Sequence, residues 1–377
     1  MVIADLLMRN LRNRPDKEAI YCKPCEVRLT YQDLNRRVNS LCHMLLQEGI
    51  HKGDRLGVVS SNCHVHPELL MTAAKGGWAL VEIDHRLSAK EIGYIIQDSQ
   101  PKVLFVEEGL TDGTIPLFRL FPKLKKVRIP YDYEKIIMTY SDDELKADVK
   151  EVDVITIMYT SGTTGSPKGV IYTHSNLFAA VTNMALTLDV CEDDKTLHTS
   201  PFSHIAPIWP FLLHCYYGGS NVIIDNFDPI YILETIEKER ISTWNTVPIL
   251  LDRVIGEKEK EKFDISSLRW VTYGASPIPQ PTLKKALKYF GNILTQIYGC
   301  TEAYLLTCLR ARDHILEGGG EHVRLASCGL EMINTETIVV NLDGKRVKPG
   351  EVGEIITRGD HVSPGYWRKE EETRQSM

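Results

Sequence analysis

The sequence lacks any apolar run approaching the roughly 18 residues needed to cross a bilayer as a helix. It also lacks an excess of basic charge: 44 Lys and Arg against 50 Asp and Glu leave a net charge of −6. A nucleic-acid binder would show a basic patch or tail, and none is present. The first residues, MVIADLLMRNLRNRPD, do not make a secretory leader. Asp5 interrupts the apolar part, and there is neither a basic n-region nor a small-residue cleavage site. Arg9, Arg12 and Arg14 leave a transit peptide as the lower-ranked reading. There is no internal repeat and no low-complexity stretch. The nine cysteines are scattered, and an odd count does not suit a disulfide framework. Reduced thiols and a cytoplasmic setting are therefore expected. Cys22-Lys-Pro-Cys25 is an isolated CxxC pair. Zinc would need two more ligands at metal spacing, and none lies nearby in sequence. A redox motif would need a helix opening at the pair, but Leu29-Thr-Tyr31 follows instead.

Hydrophobic residues (43%) and charged residues (25%) match a soluble globular chain. At about 150 residues per unit, the length suggests two or three folded units. Helical and strand patterns alternate, which favours α/β layers. Ile3, Leu6, Leu7 and Leu11 recur at helical spacing. Thr30 caps a predicted helix with Leu34, Val38, Leu41 and Leu45 on one face, and Ser88 to Glu91 reads as a capping box. Strands are expected at 102–106, 242–247 and 292–297. After about residue 320, short strands separated by turns, such as Asp343-Gly344, read as a small β-rich unit. The last stretch, from Arg368 to Ser376, has no apolar residue and nothing to bury, so the chain is expected to stop inside an element or linker.

The sharpest feature is Tyr159-Thr-Ser-Gly-Thr-Thr-Gly-Ser-Pro-Lys-Gly169. It puts five Ser and Thr hydroxyls, three glycines and one lysine into eleven residues between two candidate strands. Glycines let backbone N–H groups approach a ligand. Hydroxyls and N–H groups donate to phosphate oxygens, and Lys168 adds a point charge. The segment is not a Walker loop. That loop needs Ser or Thr directly after the lysine and then a helix. Here Pro167 precedes Lys168, Gly169 follows it, and the flanks read as strands.

The segment resembles the phosphate-binding loop of the acyl-adenylate-forming superfamily, which includes acyl- and aryl-CoA synthetases, luciferase-like enzymes and peptide-synthetase adenylation domains. Further stretches resemble that family's elements in the right order. They are Leu29-Thr-Tyr-Gln-Asp-Leu34; Ala74 to Asp84, with Glu82 where proline is usual; Pro201-Phe-Ser-His204; Tyr273-Gly-Ala-Ser-Pro277; Gln296-Ile-Tyr-Gly-Cys-Thr-Glu302; and Gly353 to Trp367.

The resemblance implies two interleaved α/β subdomains with helix-flanked mixed sheets, plus a small β-barrel-like subdomain. Residues 1–54 and 186–322 would form the acyl and adenine side. Residues 55–185 would end in the phosphate loop, and 323–377 would be the β unit. Carboxylate activation requires attack on the α-phosphorus of ATP, so alignment and charge neutralisation should dominate. By resemblance, Thr160, Ser161, Gly162, Thr163, Thr164, Gly165 and Lys168 surround the β- and γ-phosphates. Gly274, Ala275, Ser276, Gln296, Ile297, Tyr298 and Gly299 form the adenine slot, with Tyr298 stacking. Thr301 holds the α-phosphate. Glu302, with Thr160, holds Mg²⁺. His204 stands near the reacting carboxylate, so His204, Lys168, Thr301 and Glu302 are the expected catalytic set.

An apolar acyl pocket is expected from Ile205, Ala206, Pro207, Trp209, Trp244, Asn245, Val247, Tyr273, Gly274, Tyr304 and Leu305. Pro201 to Pro207 carries no Asp to meet a substrate ammonium, which disfavours amino acids. His174 and His198 are read as core residues. ATP, Mg²⁺ and CoA are the implied cofactors and co-substrate, and a small carboxylic acid is the implied substrate. Oligomeric state stays open, a homodimer included. The family's later elements, a ribose-binding Asp and a C-terminal lid domain with a catalytic lysine, have no counterpart in the sequence, so little activity is expected from this chain alone. Delivery to a carrier protein, or a non-catalytic nucleotide- or acyl-binding role, remain the alternatives.

Overall fold

Capping residues and apolar spacing place the helices where the sequence predicts. The computed structural model describes residues 1–110, 121–160, 166–314 and 321–377. Thr30 and Asp33 close a capping box ahead of the helix Tyr31–Gln47, and Ser88 and Glu91 close another ahead of Ala89–Ser99. The first helix, Ala4–Asn13, buries Leu6 and Leu7. Among the described residues, no helix is long and apolar enough to cross a membrane.

The described strands are β1 (Glu18–Cys22), β2 (Val27–Thr30), β3 (Arg55–Val59), β4 (Ala79–Ile83), β5 (Val103–Glu107), β6 (Lys125–Ile129), β7 (Val154–Thr160), β8 (Lys168–Thr173) and β9 (Lys195–His198). They continue as β10 (Ser220–Ile223), β11 (Thr243–Thr246), β12 (Trp270–Gly274), β13 (Leu294–Tyr298), β14 (Thr307–Leu309), β15 (Leu330–Glu331), β16 (Glu336–Val340) and β17 (Glu354–Arg358). One sheet has nine strands in the order β15-β14-β13-β12-β11-β9-β10-β1-β2; the other has six in the order β6-β5-β3-β4-β7-β8. The chain thus starts in the larger sheet, leaves to build the smaller one and returns. Both sheets are parallel at their centres and antiparallel toward an edge. The parallel strands are buried on both faces, as helix-covered sheets require: all five residues of β4 are buried.

The expected small β unit differs from a barrel. β16 and β17 form a two-stranded antiparallel sheet, and β15 crosses the expected boundary at 323 to pair with β14 in the larger sheet. Two strands cannot close on themselves. The short helix Glu370–Ser376 buries no residue.

The main core lies among the helices that face both sheets and includes Leu34, Leu69, Phe105, Tyr172 and Phe211. Three histidines are enclosed with it. His174 Nδ1 accepts from the Ile3 N–H at 3.1 Å, so that nitrogen carries no proton. His214 donates from Nδ1 to Pro210 O at 2.7 Å and accepts at Nε2 from Thr243 Oγ1 at 3.0 Å. His198 contacts Asn221 Oδ1. Burial pushes all three down to about 4.

Their unfolded counterparts titrate near 6.5, so between those values the unfolded chain binds more protons and stability rises with pH. Glu82, whose burial raises its carboxyl, works against this by at most one proton. The midpoint of thermal unfolding is therefore expected to fall as the pH is lowered from 6.5 to 4.5. A flat profile across that window in differential scanning calorimetry would show that these imidazoles are charged in the folded state.

Candidate active site

A cleft of about 1000 Å³ opens at the carboxyl ends of the parallel strands. That is where open α/β sheets bind ligands. Its walls come from the ends of β7, β11, β12 and β13, from the start of β8, and from the segments after β9 and β13.

β7 and β8 run antiparallel and end on the pair Thr160–Lys168, both of which line the cleft. Thr160 Oγ1 donates to Lys168 O at 3.4 Å. Ser161, Gly162, Thr163, Thr164 and Gly165 lie outside the described residues. Thr301 and Glu302 line the same cavity from the segment after β13. The Tyr172 hydroxyl donates to Thr301 O, and the Tyr366 hydroxyl donates to Glu302 Oε1 at 2.8 Å. The Lys168 ammonium lies 4.4 Å from the centroid of the Tyr366 ring. Residues 363–367 follow β8, with Ile171 N donating to Gly365 O and Trp367 N to Gly169 O. Tyr366 therefore bridges the lysine and the glutamate, a role that a 64-residue separation from Glu302 hid in the sequence.

The adenine-slot residues divide by strand alternation. Gly274, Ala275, Ile297 and Gly299 line the cavity. Ser276, Gln296 and Tyr298 do not. Ser276 is exposed beyond Ala275, and Gln296 and Tyr298 alternate with Ile297 on β13. Two glycines have a steric reason to be there. A Cβ on Gly274 would sit 2.2 Å from Ile297 O, and one on Gly299 would sit 1.7 Å from Tyr304 O.

On the acyl side, Ile205, Asn245 and Tyr304 line the cavity, as do Ala206, Trp209, Val247 and Leu305. Trp244 and Tyr273 do not, which corrects the sequence expectation. Trp244 alternates with Asn245 along β11, packs on Phe290 and donates from Nε1 to Thr199 Oγ1 at 3.1 Å. Tyr273 is buried, and its hydroxyl donates to His314 Nε2 at 2.9 Å. Pro207 also lies outside the lining.

His204 stands at the cleft wall, with Nε2 3.8 Å from Asp84 Oδ2. Arg86 holds that carboxylate, donating to it from Nη2 at 2.6 Å. Burial pushes the Asp84 carboxyl up, but the Arg86 hydrogen bonds win and hold it below the usual range. Burial lowers the His204 pKa, with Arg86 helping and Asp84 opposing, so His204 is neutral at pH 7. Glu82, at the family's usual proline position, is buried and accepts from His66 Nδ1 at 2.7 Å.

Arg86, Arg253 and Phe227 also line the cleft, and sequence reading missed them. For Arg86 the available signal was its place two residues after Asp84. Among the described residues, the cavity's charged lining is Arg86, Lys168, Arg253 and Glu302, a set suited to anionic ligands.

Known proteins resemble this chain in sequence and in fold. The model of the AMP-binding enzyme family matches residues 7–367. A feruloyl-CoA synthase from Amycolatopsis is 31% identical over 93% of this chain and 68% of its own length. The medium/long-chain-fatty-acid–CoA ligase FadD8 of Mycobacterium tuberculosis is 29% identical over 99% of this chain and 66% of its own. The inhibitor-bound N-terminal domain of FACL13 from Mycobacterium tuberculosis superposes with a TM-score of 0.91 at 28% identity, covering 100% of this chain and 93% of that one. The chain belongs to the AMP-binding enzyme family.

Proposed function

We propose that this chain binds ATP beside an organic acid and supports formation of the acyl-adenylate, the first half-reaction of an acid–CoA ligase with CoA as the later acceptor. The observation that carries the reading is the single cavity. Thr160, Lys168, Thr301, Glu302 and His204 line it together with Ile205, Trp209, Val247 and Leu305. Lys168 would neutralise phosphate charge, and Thr301 would donate to it. Neutral His204, oriented by Asp84, would donate to the carboxylate being activated. The glycines of the slot let two backbones close on a flat base.

Magnesium fits this donor set only as a companion of the nucleotide. Glu302 offers one carboxylate oxygen not taken by Tyr366, and no group of three His, Cys, Asp or Glu among the described residues could hold a metal alone. Mg²⁺ is commonly held by one or two carboxylates plus substrate phosphates. Bound there, it would supply charge neutralisation on the phosphate oxygens. The substrate body is read as acyl or aryl without an ammonium group. Among the described residues, Glu302 is the sole acidic residue lining the cavity.

The test is titration calorimetry with ATP and MgCl₂, alongside a thermal-shift panel of aliphatic and aromatic carboxylic acids. ATP should bind the chain, and apolar acids should raise the melting temperature further when ATP is present. Lys168→Ala should weaken ATP by about 10- to 100-fold, the range for losing a charged hydrogen bond. Absence of ATP uptake, or an unchanged affinity in Lys168→Ala, would overturn the reading.

A further inference from the structure

Away from the cleft, the hairpin joining β1 to β2 carries a second group of reactive side chains. β1 ends on Cys22, which pairs with Val27 across a turn formed by Lys23, Pro24, Cys25 and Glu26. The turn is closed by Glu26 N donating to Lys23 O, with Glu26 at φ 52°. Cys22 is buried and Cys25 is exposed. The Cys22 thiol and the His64 imidazole are the neighbours that act most strongly on the Cys25 thiol. His64 sits at the start of the helix Val65–Gly76. One turn on, Glu68 holds it: His64 Nδ1 donates to Glu68 Oε1 at 2.6 Å. Glu68 is fully buried, and its Oε2 accepts from the Tyr133 hydroxyl at 2.8 Å and from Arg37 Nε at 2.9 Å. None of these residues lines the nucleotide cleft.

We propose that Cys22 and Cys25 form a redox-active dithiol that takes low-molecular-weight disulfides, with Cys25 as the exposed nucleophile and Cys22 as the enclosed resolving thiol. The arrangement divides the labour that thiol–disulfide exchange needs. The attacking sulfur is open to solvent, the second sulfur sits at the other end of one tight turn, and a buried carboxylate holds an imidazole in the neighbourhood of the attacking thiol. The electrostatics agree. The Cys22 contact and then the His64 contact hold the Cys25 thiol well below the ordinary range, against burial and the charge of Asp225. Burial works against a charged His64, but Glu68 and Cys25 raise it to about 9. The Cys25 contact and burial push the Cys22 thiol up, and burial pushes up the neighbouring Cys63.

The exchange balances as follows. Cys25 thiolate attacks one sulfur of a disulfide RSSR, forming Cys25–S–S–R and expelling RS⁻, which takes up the proton Cys25 gave up. Cys22 then loses its proton and attacks the Cys25 sulfur, forming the Cys22–Cys25 bond and releasing a second RSH. One disulfide is reduced to two thiols, and two protein thiols become one disulfide. Zinc is not the expected occupant, because no three-ligand group of suitable geometry exists among the described residues.

The test uses the reduced 377-residue chain. Brief alkylation with iodoacetamide at pH 6.5, followed by digestion and mass spectrometry, should label Cys25 at least about tenfold faster than Cys300, because thiolate fraction sets the rate. Cys300 is also exposed, but burial of its thiol raises its pKa. His64→Gln should slow Cys25 selectively. With glutathione disulfide, the unmodified chain should end with a Cys22–Cys25 bond, two hydrogens lighter. Cys22→Ser should stop at one glutathionyl group on Cys25. Equal labelling of Cys25 and Cys300, a mixed disulfide that persists in the unmodified chain, or stoichiometric zinc in the purified protein would each overturn the proposal. These readouts need no nucleotide, so they stand apart from the ATP reading.

Discussion

Glu68→Ala is expected to destabilise the fold by about 3 kcal/mol, within the range for breaking a buried ion pair by removing one partner. Glu68 is fully buried and joins three helices. Arg37 comes from Tyr31–Gln47, Tyr133 from Tyr131–Thr139 and His64 from the N-cap of Val65–Gly76, the helix Glu68 itself occupies. Without the carboxylate, the Tyr133 hydroxyl loses its acceptor and His64 loses the charge that holds its proton. Arg37 keeps Glu134, which it grips from both Nη atoms at 3.0 and 2.7 Å, so the cost sits at the lower end of that range. Glu68→Gln keeps an acceptor and should cost less. By contrast, Glu371→Ala removes a pair with Arg374 that is 66% and 72% exposed, and should shift stability by at most about 0.5 kcal/mol. Urea unfolding of the three variants orders them. A Glu68→Ala loss no larger than that of Glu371→Ala would show that the buried network contributes nothing net.

Local signals carried much of the sequence reading. Thr30 with Asp33 and Ser88 with Glu91 are capping boxes written within four residues, and both are in the structure. The order of motifs reflects the carboxyl ends of successive strands, so Thr160, Gly274 and Thr301 fall into one cleft although far apart in the chain. What stayed hidden needed register or long-range contact. Trp244 and Asn245 are equally plausible pocket residues until the pleat of β11 sends one into the core and the other into the cleft. The same alternation separates Ile297 from Gln296 and Tyr298. Tyr366 reaches Glu302 only because residues 363–367 fold back along β8. Cys25 meets His64 by tertiary packing, where a CxxC pair read alone offers no third partner. The expected barrel failed for a countable reason, since strand-like patterns after residue 330 supply only two strands to their own sheet.

Gly299→Ala is expected to weaken ATP binding by about 30- to 150-fold, the equivalent of 2–3 kcal/mol of overpacking strain. The methyl group would lie 1.7 Å from Tyr304 O and 2.8 Å from Tyr304 C, both backbone atoms, so no rotamer change relieves the clash. Tyr304 is itself fixed: it sits at φ 61°, its ring packs 5.5 Å from Tyr172, and its hydroxyl donates to Ile205 O at 3.4 Å. Relief must come from Gly299 moving, which displaces Thr301 and Glu302 just beyond it. Gly274→Ala meets a similar wall, Ile297 O at 2.2 Å. It should weaken ATP comparably. Gly256→Ala supplies the control, because a methyl there meets nothing within 4 Å. The measurement is the calorimetric dissociation constant for ATP with magnesium, taken on variants whose circular dichroism matches the parent. Should folded Gly299→Ala and Gly274→Ala both bind ATP within threefold of the parent, the close approach of β12, β13 and the Tyr304 backbone does not shape the nucleotide site, and the base must lie elsewhere in the cleft.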